Sequence, residues 1–413
     1  MAAPAPRLTV IPDILEEHYE ELQFLWGIRR KMLRSGVQYL RDLLQFEERI
    51  EAHLQGLLLA GADLETVVGQ GLASEDPLET FAAAYAFLRS PDQELHEKTV
   101  RVFADAKGPG AAGLKEALCH GSPPALLGKI QRLLNAALQQ TAVDAAEVLA
   151  FHGVTDPLPD SVANFVQSEL PAVRTAAWRV AGLLGLPLDA KAYARGLRDD
   201  DANVRREVLY AGAWAQQQGI LTCCRRAAAI QGPDQLDSLR VLAILGAPED
   251  FPLIAACGQT TALGPDRFSV LGSYGHPGVV QIILDGLSDK DPLTAVAAGH
   301  AFTTITGADI RSQAVAEVPL ESSGQDSWDE VGVEFTVPVV LPDVQKAVAH
   351  WQQAGPRFAR ATRVCAGFDF SASCAPQALA LATLESRWEA ALRESFWGRW
   401  SGRAVQLERL QRA

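Results

Sequence analysis

Positive charge is scarce in this sequence: 37 Lys and Arg stand against 50 Asp and Glu, a net charge of −13. A general nucleic-acid binder is thereby disfavoured, because neutralising phosphates needs clustered cations. Aromatics amount to only 7%, which suits closely packed short helices better than a β-sandwich. Charged residues reach 21% against 48% apolar, a balance that excludes a largely disordered chain. No uncharged apolar run approaches ~18–20 residues, so no membrane span is expected. The start, Met1-Ala-Ala-Pro-Ala-Pro, has neither the basic head nor the apolar core of a secretory signal, and the expected compartment is the cytoplasm. The six cysteines, at 119, 223, 224, 257, 365 and 374, contain no CxxC pair and read as reduced, buried small hydrophobes. Cys119-His120 and Cys223-Cys224 are adjacent pairs without metal-ligand spacing. No histidine stands in an HExxH arrangement, and His300, inside an apolar run, reads as a core residue. No catalytic residue, cofactor or metal ligand is expected.

What is present is a recurrence. Glycines fall at Gly153, Gly185, Gly219, Gly246, Gly275 and Gly307, in steps of 32, 34, 27, 29 and 32 residues. Each closes a helix-like run, and Pro157, Pro187, Pro248 and Pro277 follow four of them. Glycine just past a helix admits the left-handed closing residue, and proline then blocks continuation. Pro171-Ala-Val-Arg-Thr-Ala-Ala-Trp aligns with Ala202-Asn-Val-Arg-Arg-Glu-Val-Leu, matching Val173 to Val204, Arg174 to Arg205 and Ala177 to Val208. A fainter copy begins at Asp291. A period of roughly 30 residues holding two helices predicts an all-α fold of the α-solenoid type. Val173, Ala177, Trp178, Val204 and Val208 should lie buried between helices.

These repeats resemble HEAT repeats of the short kind found in phycobilisome-lyase-like proteins. Ahead of them, periodic apolar residues predict helices over 11–33 and 39–59, a helical hairpin. Glu17-His-Tyr-Glu-Glu-Leu-Gln-Phe-Leu-Trp26, Leu40-Arg-Asp-Leu-Leu and Glu47-Glu-Arg-Ile-Glu-Ala-His-Leu-Gln-Gly-Leu resemble the opening of an uncharacterised bacterial family in which such a hairpin precedes HEAT-like repeats. Thr306-Gly-Ala-Asp-Ile310 matches that family's common Thr-Gly-x-Asp-Leu, and Trp351, Arg357, Phe358 and Arg363 fit a later segment. Cys365-Ala366 departs from the aromatic and leucine usual there. Members are often encoded beside type VI secretion spike, tip and effector-adaptor components. The resemblance therefore implies a protein partner of that kind, and no catalytic residue.

The organisation expected is a hairpin region over 1–76, a HEAT-like solenoid over 77–310, an acidic irregular insertion over 311–342, and a helical C-terminal region over 343–413. Residues Glu321 to Glu330 form the insertion's acidic centre, followed by a β-prone stretch from Val331. From Pro356 onward there are nine Arg, no Lys and five acids, so the tail is near +4 and could dock on the acidic array or meet an acidic partner.

Three features approach chemistry. Gly108-Pro-Gly-Ala-Ala-Gly-Leu-Lys nears a phosphate-binding loop but lacks Lys directly after its last glycine, and no strand precedes it; it reads as a turn between helices. Asp199-Asp-Asp201 could ligate a hard cation, but its place before a repeat helix favours capping. Trp388, Phe396, Trp397 and Trp400 could pack the tail or form an interface. The inner helices of a solenoid line a concave face that takes extended partners, and Arg174, Arg205 and Arg206 could form a partner-binding ridge there or ion pairs on the scaffold. Partner binding is thus expected at Arg174, Arg205, Arg206, Trp388, Trp397 and Trp400. The function expected is that of a non-enzymatic adaptor or chaperone assisting type VI spike or tip assembly with an effector. The alternative is a bilin-lyase-like enzyme or pigment-binding protein, which would need a suitable acid or thiol beside a pigment pocket.

Overall fold

A computed structural model describes residues 11–34, 36–230, 232, 235–319, 336–372, 376–400 and 402–410, with the side chains of 34 and 376–378 left out. Twenty-one α-helices account for most of them. The contacts divide the chain into two compact units, residues 1–215 with 402–413, and residues 216–401.

In the first unit the helices are α1 (Pro12–Arg34), α2 (Leu40–Leu58), α3 (Leu64–Val68), α4 (Pro77–Arg89), α5 (Gln93–Asp105), α6 (Gly110–Gly121), α7 (Leu127–Arg132), α8 (Gln139–His152), α9 (Leu158–Phe165), α10 (Pro171–Leu184), α11 (Ala190–Gly196) and α12 (Ala202–Trp214). From α4 onward the even-numbered helices pack on one another in succession, with the odd-numbered helices beside them. Composition explains the difference. In α8, residues Thr141 to Phe151 are buried at every position but Glu147, and α4 is buried from Thr80 to Leu88. A helix apolar on all sides must have neighbours on all sides. The flanking α5 buries only Leu95, Thr99, Val100 and Phe103, one stripe of an amphipathic helix.

The leading hairpin forms as the apolar periodicity predicts. Arg29, buried over the Trp26 ring, donates to Glu47 Oε1 from Nε at 2.9 Å and from Nη2 at 2.6 Å, clasping α1 to α2. Trp26 stacks on Phe81 at 3.9 Å between ring centres, and Tyr19 Oη donates to the Glu79 carbonyl. Tyr19 and Trp26 thus fix the hairpin to α4.

The second unit contains α13 (Gly219–Ala228), α14 (Gln235–Leu245), α15 (Phe251–Cys257), α16 (Asp266–Tyr274), α17 (Val280–Gly286) and α18 (Pro292–Thr306), followed by β1 (Arg311–Pro319), β2 (Thr336–Pro342), α19 (Val344–Ala354), β3 (Val364–Cys365), β4 (Phe368–Asp369), α20 (Pro376–Leu381) and α21 (Leu384–Phe396). Here α14 packs on α16 and α16 on α18, with α13, α15 and α17 alongside. The ends of the segment expected to be irregular are instead ordered. β1 and β2 pair antiparallel from Val315 opposite Val340 to Pro319 opposite Thr336. Val315, Val318, Val337, Val339 and Val340 supply the β-branched residues that favour pleated chain, so the fold is not helical throughout. The acidic centre, Glu321 to Glu330, lies outside the described residues.

Four of the six spaced glycines, Gly153, Gly185, Gly275 and Gly307, close helices with φ between 60° and 84°. The other two lack that conformation. After α12 the left-handed residue is Gln216, at φ 58°, and Gly219 opens α13. Gly246 does follow the last residue of α14, Leu245, but without a left-handed φ, and donates to the Leu242 carbonyl at 2.7 Å. The repeat is therefore more even than the glycines suggest, because a short loop, and not glycine itself, is what recurs after each even-numbered helix.

Val173, Ala177, Val204 and Val208 are 0% exposed and Trp178 1%. Ala177→Asp would place an unpaired carboxylate between α10 and its neighbours, and should lower stability by about 3 kcal/mol or more in urea denaturation. An unchanged midpoint would mean that this face is not the core.

Candidate functional site

An α-helix leaves its last four carbonyls without intrahelical partners, and they carry the negative end of the helix dipole. Stacked helices that end side by side therefore present a rim of acceptors. In the second unit the ends of α14, α16 and α18 form such a rim, and residues 363–367 are bound along it. Arg363 donates from Nη1 to the Ser273 carbonyl and from Nη2 to the Ala243 carbonyl, both at 2.8 Å. The amides of Val364, Ala366 and Gly367 then donate to the carbonyls of Gly275, Thr304 and Ile305 at 2.7, 2.8 and 2.9 Å. Gly275 and Gly307 have a second duty here. A Cβ on either would lie 2.4 Å from the Val364 oxygen or 2.7 Å from the Ala366 oxygen, so the same glycines that close helices let the segment approach.

Arg363 is buried against the Tyr274 ring at 5.2 Å. Burial, with the Arg393 charge beside it, pushes its pKa down to about 9, which leaves it charged at neutral pH. Cys365-Ala366 sits in the tight β3–β4 hairpin, where Ala366 and Gly367 take φ of 49° and 79°. Next to it, Ser273 Oγ donates to Glu389 Oε1 at 2.6 Å. Burial, reinforced by the Glu385 carboxylate, raises the Glu389 carboxyl from 4.5 to about 8. A cavity of about 30 Å³ among Ser273, Arg363, Cys365, Glu389 and Arg393 is too small for more than one water.

In the first unit the corresponding helices carry a row of charges. Lys115 of α6 meets Asp144 and Glu147 of α8 at 3.2 and 2.8 Å, and Arg179 of α10 meets Glu147 and, on α12, Glu207 at 3.2 and 3.4 Å. Burial opposes the charge on Glu147, yet Lys115 and Arg179 hold its carboxyl down at about 2. Residues 402–410 lie over part of this surface. Arg403 Nη2 donates to the Ala150 carbonyl at 3.0 Å, near the end of α8, and the Arg409 guanidinium sits 6.0 Å from the Phe151 ring centre.

The residues singled out from sequence are dispersed. Arg174 forms a two-pronged pair with Asp199, both contacts at 2.7 Å, and also donates to the carbonyls of Ser168 and Glu169. Arg205, at the equivalent repeat position, donates to the carbonyls of Asp199 and Asp200 at 2.6 and 3.0 Å. Both arginines thus tie down the loop before their own helix. Arg206 reaches Asn203 Oδ1 at 2.9 Å on the surface of α12. Asp201 caps α12 by accepting from the amides of Asn203 and Val204, as its position predicts. Trp388 is half-buried in α21. Trp397 and Trp400 are 39% and 40% exposed, and the Trp397 indole N–H donates to the Leu245 carbonyl at 3.1 Å, again on the rim. His300, read as core, is exposed on α18. In the glycine-rich stretch, a Cβ at Gly110 or Gly113 would lie 2.3 Å from the Ser74 oxygen or 2.2 Å from the Pro77 oxygen. Those glycines bring α6 close to α4. Cys119, Cys224 and Cys257 are buried, and burial raises each thiol, Cys257 to about 11; such thiols are poor nucleophiles at neutral pH. Cys374 lies outside the described residues. Among the described residues no cluster of three or more His, Cys, Asp or Glu could hold a metal, and no helix is long and apolar enough to cross a membrane.

Sequence reasoning missed the rim. Arg363 was visible as a family-like residue, but its acceptors lie some 90 and 120 positions upstream, and no local spacing links them.

No family model and no curated protein matches the chain. Among solved structures, the Escherichia coli protein YibA is similar over 67% of this chain and 96% of its own, at 9% identity and a TM-score of 0.31. An engineered protein covers 70% and 93% at 13% identity and a TM-score of 0.32. Human deoxyhypusine hydroxylase, in complex with glycerol, covers 70% and 96% at 15% identity and a TM-score of 0.26. Likenesses this distant carry no argument about function.

Two measurements test these assignments. Arg174→Ala removes a partly buried charge pair and strands Asp199, and should lower stability by about 2–3 kcal/mol in urea denaturation; a loss under half a kcal/mol would return Arg174 to the free surface. Glu389 has a folded-state pKa above its unfolded one, so its contribution is complete below about pH 4.5 and is lost as pH rises through about 8. Glu389→Gln should therefore melt about 2–4 °C above the unchanged chain near pH 9 and close to it at about pH 4. Parallel pH profiles would show a freely ionising carboxyl.

Proposed function

We propose that the chain is a non-enzymatic protein-binding scaffold, a HEAT-like α-solenoid that recognises extended polypeptide at the ends of its stacked helices. The observation that carries this reading is the rim that holds residues 363–367. Three consecutive helix ends supply acceptors to three backbone amides and one guanidinium, which is a way of binding chain without reference to most of its side chains. Such recognition needs no reactive group.

The more specific role comes from the family resemblance of the leading hairpin and of Thr306-Gly-Ala-Asp-Ile310. It is that of a cytoplasmic adaptor or chaperone assisting assembly of a type VI secretion spike or tip with its effector. Within that last motif, Thr306 Oγ1 accepts from the Ala308 amide and Asp309 Oδ1 from the Arg311 amide, so the motif shapes the exit from α18.

Affinity capture of the full chain from native extract tests the role. A type VI spike, tip or effector protein should be retained through repeated washing. Recovery of no such component, together with a bilin absorbance band that stays with the purified chain after mixing, would replace the scaffold reading with the pigment-binding one.

A further inference from the structure

The leading hairpin brings together two histidines that lie 35 positions apart in the chain. His18 of α1 and His53 of α2 face each other with their Nδ1 atoms 3.1 Å apart, the rings 5.2 Å between centres and inclined at 76°. Both are half-buried, and both flank the seam of the hairpin. Leu15 and Leu22 lie one turn either side of His18, Ile50 and Leu57 one turn either side of His53, and all four are buried. The His18 ring rests on the α2 backbone at Gly56, where a Cβ would come within 2.8 Å of three of its atoms. Glycine at that position therefore decides where the imidazole lies. Among the described residues neither ring has another hydrogen-bond partner, and no acid pairs with either.

We propose that His18 and His53 are the protein's ligands for one late first-row divalent ion, of the zinc, nickel or copper class, bound between their Nδ1 atoms. Imidazole nitrogen suits these ions, whereas magnesium and calcium prefer oxygen. Bonds of about 2.0–2.1 Å, at the angles of a square or tetrahedral sphere, place two ligand nitrogens roughly 2.8–3.4 Å apart. The observed separation falls inside that span. Without an ion the same distance holds one proton, donated by one Nδ1 and accepted by the other. An ion needs both lone pairs, so that proton leaves to solvent as the ion enters. Two donors make half of a four-coordinate set, and water supplies the rest. The donors stand on helices already clasped by Arg29 and Glu47, so binding has no loop to order. This site goes beyond the protein-binding reading and does not depend on it.

The test titrates zinc alone into the metal-free full chain at about pH 7.5, by calorimetry in two buffers of different ionisation enthalpy. One ion per chain should bind, and the difference between buffers should report about one proton released. His18→Gln and His53→Gln keep a polar partner for the remaining ring but supply no imidazole. Each should melt near the unchanged chain and bind zinc at least about tenfold more weakly, since even loss of an outer-shell partner costs about that much. His300→Ala, exposed on α18, should bind as the unchanged chain does. The copper(II) spin-resonance spectrum of the full chain at one equivalent needs no variant, and should show two nitrogen ligands. Zinc affinity weaker than about millimolar, or affinity unchanged in both glutamine variants, overturns the proposal. So does a copper spectrum with a single nitrogen, or with sulfur, which would place the ion at the half-buried Cys223 or Cys365. Should a glutamine variant fail to fold, the copper spectrum decides.

Discussion

Everything distinctive here follows from unpaired carbonyls at the ends of helices. A short helix has as many unsatisfied carbonyls as a long one, so stacked helices of 9 to 15 residues accumulate them quickly. Some are closed locally, by a left-handed residue and the backward hydrogen bonds it permits, as where Val154 donates to the Leu149 carbonyl. Others, within each unit, stay open to donors from elsewhere in the chain. Burying them without donors is unfavourable, and the chain supplies donors from its own C-terminal part: Arg363 and the Trp397 indole in the second unit, and Arg403 in the first.

A second constraint, the cost of an unpaired half-buried charge, organises the ionic side chains. Along the first unit, Lys115, Glu147, Arg179 and Glu207 alternate in sign on successive even-numbered helices. Each is only partly exposed, so an isolated one would be destabilising, whereas the alternation lets every charge meet an opposite one on the next helix. Arg174 and Arg205 solve a different problem, holding the loops that lead into α10 and α12. Arginine suits this because its planar fork reaches a carboxylate and two carbonyls at once.

Local pattern made much of this legible. The apolar stripe of α1 and α2 gave their extents to within about two residues, because a period of 3.6 leaves little choice of face. The capping role of Asp201 and the burial of Ala177 and Val208 followed from their place in the repeat. Where a local rule was applied too literally it misled. Glycine was taken as the mark of a helix end, but Gln216 takes the left-handed turn after α12 and Gly219 opens the next helix instead. The β-prone stretch from Val331 anticipated β2, but β1 went unread because its valines are interrupted by acidic, polar and small residues.

The sequence by itself determined the helical character, the approximate spacing of the helices and the core face of α10 and α12, since these depend on neighbours within one or two turns. Only the tertiary structure decided what the arginines and tryptophans do. Arg363 and Trp397 act on carbonyls that every residue possesses, and a backbone acceptor leaves no trace in the amino-acid sequence. Which carbonyls lie open, and which side chain reaches them, is settled when helices distant in the chain end side by side.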